Sequence, residues 1–233
     1  MSSSVYARTA RKMFRQIASE LKEHVPFTAL GAVTGIIIMV IIVMTNVPSP
    51  ISEATFYTLH PLHILLSALV TTAMYTRYSK GKLWAAILIG YFGSVGIATL
   101  SDAVIPYLEG TTLNIAISLH IPFIETGKIP FIGIESWQAV NLAALIGIAL
   151  GYWKRTTKVP HSAHVLVSTW ASLFYFTAFG IAHWIPLLPL IFIFLFLAVW
   201  IPCCFSDIVF PLLFIRKVAT PQEITYTNHS AGE

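Results

Sequence analysis

Two pairs of histidines stand three residues apart in strongly apolar surroundings, His60-Pro-Leu-His63 and His161-Ser-Ala-His164. Residues at this spacing share a helix face. Each pair can therefore present two imidazoles side by side, with Ser67 and Ser168 one turn further on. Two aspartates follow in matching contexts, Ser101-Asp102-Ala-Val104-Ile-Pro106 and Ser206-Asp207-Ile-Val209-Phe-Pro211. Two imidazoles and a carboxylate form a donor set for Zn²⁺, Fe²⁺ or Mn²⁺. Imidazole also changes charge near neutral pH, so the same groups could carry protons.

A plainer reading has to be weighed beside this one. His60 and His161 open their apolar runs, where interfacial water can hydrate them, and Pro61 and Pro160 resemble helix-start residues. A helix N-terminus also disfavours a cation. One such pair alone would read as readily as an interfacial feature. Two pairs, each followed by the same Ser-Asp-x-Val-x-Pro, weigh for a site. Other candidates are weaker. His120 and Glu125 fall on an expected outer loop, as an ion-access point or as plain loop. Cys203 and Cys204 offer soft thiolate ligands, although intramembrane cysteines more often act as small apolar residues. Being adjacent, they imply no disulfide framework.

The elements that would position these groups are membrane helices. Of 233 residues, 56% are apolar and only 10% charged, against about 25% charged in a soluble domain. Lipid must therefore solvate much of the chain. Six stretches approach the roughly 20 apolar residues that a spanning helix needs: Pro26–Val47, His60–Tyr78, Leu83–Leu108, Trp137–Trp153, His161–Trp184 and Ile185–Ile215. They are apolar on all sides, unlike barrel strands. The net charge of +4 does not imply nucleic acid, because the basic residues cluster beside apolar stretches. With the N-terminus inside, Arg77/Lys80/Lys82, Lys154/Arg155/Lys158 and Arg216/Lys217 all fall inside. Both termini are then cytoplasmic, in a plasma or inner membrane.

The signatures recur in the same order, offset by 101 residues for the histidines and 105 for the aspartates. Each copy would hold three spans, an odd number, so the second would enter the membrane from the opposite side. Inverted repeats of this kind are common among secondary transporters. The expected fold is an all-α polytopic bundle with a 3+3 inverted repeat. A basic amphipathic helix lies on the inner leaflet (1–25), then a first repeat (26–110), an outer linking loop (111–136), a second repeat (137–217) and a polar, disordered tail (218–233). Each aspartate, returning along a helical hairpin, should reach the depth of its own histidine pair. Simple topology puts one His/His/Asp cluster near each membrane face. Pro106, Pro202 and Pro211 suit helix breaks that would bring the clusters closer.

The Ser-Asp-x-x-x-Pro motif at Ser101–Pro106 and Ser206–Pro211 resembles one in heavy-metal exporter permeases of the manganese/arsenic type. The likeness covers a dozen residues, excludes the histidine pairs, and implies metal transport. From the residues themselves, three functions are expected in descending order. The first is a secondary, proton-coupled transporter of a divalent metal ion. The second is a membrane metalloenzyme with a His/Asp-ligated iron or zinc centre, dinuclear if the clusters meet. The third is a b-type cytochrome, disfavoured because the two histidines of a pair share a helix face and cannot flank one haem. No GxxxxGK[ST] motif is present to bind ATP. Six spans make a small transporter, which suits a homodimer.

Overall fold

The computed structural model describes residues 3–78, 82–154 and 158–214. Within those ranges the side chains of residues 3–21, 23–24, 78, 158–162, 204, 207–208 and 212 fall outside the description. The basic clusters around Lys80 and Arg155 and the expected polar tail therefore lie wholly or partly outside the described residues.

Six long helical segments make up the described chain. They are α1 (Ser3–Met44), α2 (Ser49–Tyr78), α3 (Leu83–Thr112), α4 (Ser136–Lys154), α5 (Lys158–Phe179) and α6, which runs from Leu188–Cys204 on to Leu213. Val25–Met44 of α1, Ser49–Arg77 of α2, α3, and Ile185–Cys203 leading through α6 are long and apolar enough to cross a membrane. In α5 the apolar part, Ala163–Phe179, is shorter.

Three boundaries differ from the sequence expectation. The first half of α1 has no break before the first span, because one helix continues from Ser3 through Pro26 to Met44. The helix α2 starts at Ser49, eleven residues before His60, with Pro50 in its first turn, where a missing N–H costs nothing. Pro61 is thus interior to α2, and His60 lies three turns inside, fully buried. The helix-start reading of His60 fails, and with it the N-terminal penalty on a cation. At the far end of α5 the helix stops at Phe179. Gly180–Ile181 then pairs antiparallel with Ala116–Ile117 of the linking loop.

The centre of the bundle is α2, packed along α5 and α4, while α1 lies against α5 and α6. The α2–α4 approach depends on two glycines. A Cβ at Gly147 would collide with the Leu65 carbonyl oxygen, and one at Gly151 with that of Leu69. Backbone therefore meets backbone, the way small residues seat helices in lipid. Buried Ile64, Ala68, Leu173, Tyr175 and Phe176 fill the adjoining layers.

Two helices carry wide turns. Residues Phe92–Gly96 and Leu100–Val104 of α3, and Phe205–Val209 of α6, are π-helical. A π turn adds a residue to the helical turn and re-aims the side chains it carries, and such turns cluster at functional sites. Asp102 and Ser101 stand on one of them, Ser206 on another.

Candidate metal centre

Helix α2 presents Phe56, His60, His63, Ser67 and Thr71 along the bundle interior, all of them buried. The π turn of α3 brings Asp102 to this face. Its Oδ2 lies 2.9 Å from His60 Nδ1 and 2.7 Å from His63 Nδ1. Oδ1 accepts from Ser101 Oγ at 2.7 Å and from Ser168 Oγ of α5 at 2.8 Å. Asp102 is fully buried. An ionised carboxylate only accepts, with about four lone-pair sites, and here four donors fill them. With Asp102 ionised, both imidazoles carry their proton on Nδ1, which turns both Nε2 atoms outward as lone pairs or as further proton sites.

Both oxygens of Asp102 are engaged by side-chain donors, two on each. A carboxylate behind an imidazole fixes ring orientation and tautomer and raises the basicity of the other nitrogen, the usual outer support of a metal-bound histidine.

His63 Nε2 faces Cys203 Sγ of α6 at 3.8 Å. The His63 ring also stacks on His164 of α5, with centroids 5.6 Å apart and planes 6° from parallel. Candidate ligand atoms of His63, His164 and Cys203, one from each, lie within 4.8 Å of one another, and all three residues are buried. A tetrahedral ion with Zn–N of about 2.0–2.1 Å and Zn–S of about 2.3 Å needs ligand atoms about 3.3–3.8 Å apart. The His63–Cys203 edge already meets this. Cys203 Sγ also donates to Ser168 Oγ at 3.6 Å, which links the thiol through Ser168 to Asp102.

Hydroxyls continue the polar seam. Ser67 Oγ meets Ser206 Oγ at 3.1 Å, and Ser206 Oγ donates to the Gly93 carbonyl at 2.7 Å. Ser101 Oγ lies 3.4 Å from Ser168 Oγ, and Ser172 Oγ donates to the Ser168 carbonyl at 2.9 Å. Ser67, Ser101, Ser168 and Ser206 thus meet as pairs, each joining one signature to the other. His60 Nε2 is buried without a hydrogen-bond partner among the described residues, and its ring stacks on Phe56 at 5.5 Å.

His120 and Glu125 come together away from this centre, in the linking loop. His120 Nδ1 lies 3.2 Å from Glu125 Oε1, which also accepts from the Ile121 backbone N–H at 2.8 Å, while Tyr57 Oη of α2 donates to Oε2 at 2.6 Å. Burial pushes the Glu125 carboxyl up. The donors His120, Tyr57 and Ile121 outweigh it and hold the group below its ordinary range. Tyr175, Phe56 and Phe179 form an edge-to-face aromatic layer between this loop and His60.

The side chains of His161, Asp207 and Cys204 lie outside the described residues, so the second expected cluster is represented by His164 alone. Sequence reasoning ranked Cys203 low. Its spacing held a usable signal, since Cys203 stands three residues before Ser206 and four before Asp207 and so shares their helix face. Ser172, Tyr57 and Tyr175 carried no comparable signal. No family model, curated protein or solved structure matches the chain.

Proposed function

We propose that the chain is an integral membrane transporter of a divalent metal ion, secondary and proton-coupled, with a single ion centre shared between two three-helix units. In this reading α1–α3 and α4–α6 are inverted repeats, and all six helices cross the bilayer with both termini cytoplasmic. The observation that carries the reading is the meeting of His63 with His164 and Cys203 inside the bundle. Inverted-repeat transporters bind substrate near mid-membrane, at the interface of the repeats, on interrupted helices. Several features agree with that pattern. The counterpart histidines stack on one another, and the counterpart serines pair crosswise. The π turns at Leu100–Val104 and Phe205–Val209 stand at the same 105-residue offset as the aspartate signatures.

Proton coupling follows from ligand chemistry. A metal binds neutral imidazole and thiolate, so loading releases protons and protonation releases metal. The test is uptake into liposomes containing the purified protein and an internal pH indicator. Metal entry accompanied by a pH change is expected. The lack of both metal binding and metal uptake would overturn the proposal.

A membrane metalloenzyme is the second reading, favoured by the full burial of His63, His164 and Cys203 together. A tightly held metal that survives purification, with no uptake, would select it.

A further inference from the structure

We infer that the ion taken by this centre belongs to the thiophilic class, Zn²⁺ or Cd²⁺ in preference to Mn²⁺, because the anionic ligand is the Cys203 sulfur and not the Asp102 carboxylate. The inference rests on the reading of the centre as a metal site, and it narrows the ions that the histidines and aspartates alone would allow.

Two independent observations carry it. The first concerns Asp102. Each of its oxygens meets two donors, at 2.7–2.9 Å, so a metal could take an oxygen only by stripping away His60, His63, Ser101 or Ser168. Within a buried bundle a displaced imidazole N–H of His60 or His63 would lose this partner. The carboxylate's role is to aim His63, whose Nδ1 it holds while Nε2 faces into the centre. Asp102 is therefore a positioning residue. The second concerns Cys203. Its sulfur is the described non-histidine donor that completes a trio with His63 and His164, already 3.8 Å from His63 Nε2.

Ligand softness then decides the metal. Thiolate with imidazole suits zinc, cadmium and cuprous copper, whereas Mn²⁺ and Mg²⁺ favour carboxylates, carbonyls and water. Among the described residues the trio supplies three ligands, fewer than the four that close a structural zinc site.

Purified full-length protein in detergent can be titrated with Cd²⁺ while ultraviolet thiolate-to-metal charge transfer is followed. Zn²⁺ and Mn²⁺ then compete. One Cd²⁺ per chain with a charge-transfer band is expected, displaced by Zn²⁺ but not by about a hundredfold excess of Mn²⁺. Zinc-edge X-ray absorption on the unmodified protein should count one sulfur among the ligands, a readout that needs no variant. Cys203→Ser should abolish the band, and Cys204→Ser should keep it. Asp102→Asn should keep the band but weaken affinity by about 10–100-fold. If Mn²⁺ binds as tightly as Cd²⁺ with oxygen and nitrogen ligands only, the thiophilic assignment falls while a metal centre stands. A band that persists in Cys203→Ser and vanishes in Cys204→Ser overturns the assignment of the ligand. If none of the three ions binds, the metal reading beneath it falls as well.

Discussion

Two carboxylates in this chain are each met by histidine, Asp102 inside the bundle and Glu125 in the loop between α3 and α4. Asp102 draws its donors from α2, α5 and its own neighbour Ser101, so residues as far apart as His60 and Ser168 converge on one group. Glu125 draws on His120 and Ile121, five and four residues away, plus Tyr57. Asp102 is fully buried, while the Glu125 side chain is 25% exposed. The same pairing chemistry therefore does two jobs. In the loop it is a local tie that water can partly replace. In the bundle it ties three helices together.

The largest expected effect comes from Asp102→Ala. Removing one partner of a buried pair costs about 3–5 kcal/mol, so the unfolding temperature in detergent should drop sharply and the metal content should fall with it. A variant as stable as the parent would remove Asp102 from its organising role. Next comes Gly147→Val, which forces side-chain carbons against the Leu65 carbonyl. Overpacking of this kind typically costs about 1–3 kcal/mol, and thermal unfolding reads it directly. Ser206→Ala removes the donor to Gly93 and the partner of Ser67, worth about 1 kcal/mol. It should leave cadmium affinity near the parent value, which titration would check.

Glu125→Gln should have the smallest effect, about 1 kcal/mol or less for a partly exposed pair, without loss of metal binding. Its pH signature sharpens the contrast. The Glu125 carboxyl is held below its ordinary value when folded. Its contribution is therefore complete above the ordinary glutamate value of about 4.3, and it is lost as pH falls through the lower folded value. Hydrogen exchange at the Ile121 amide should quicken in that acid range in the parent and show no such step in Glu125→Gln. Equal acid sensitivity in both would assign the step to another group.

The sequence made some of this legible for identifiable reasons. Helical spacing placed His60 beside His63, and the hairpin between α2 and α3 returned Asp102 to their depth. The start of α2 was misread because Ser52, Glu53 and Thr55 lower the hydropathy of a stretch that is helical from Ser49 onward. The convergence of His63 and His164 was hidden because span counting sent their clusters to opposite faces. The π turns that re-aim Asp102 and Ser206 leave little trace in hydropathy. Cys203 was discounted on residue type, though its register with Ser206 pointed inward. The loop was least readable. Asn114, Phe131 and Gly133 all adopt positive φ, at 55°, 63° and 81°; asparagine and glycine favour that region, but Phe131 is a residue type that does not announce it.

The glycine seam between α2 and α4 bears on how the bundle can move. Leu65 and Leu69 rest their carbonyls on Gly147 and Gly151 without intervening side chains, so these two helices are riveted together. In the proposed transporter, a simple see-saw of α1–α3 against α4–α6 would have to shear that rivet, so the motion that exposes an ion would spare the riveted pair, with α3 and α6 yielding at their widened turns around a fixed spine.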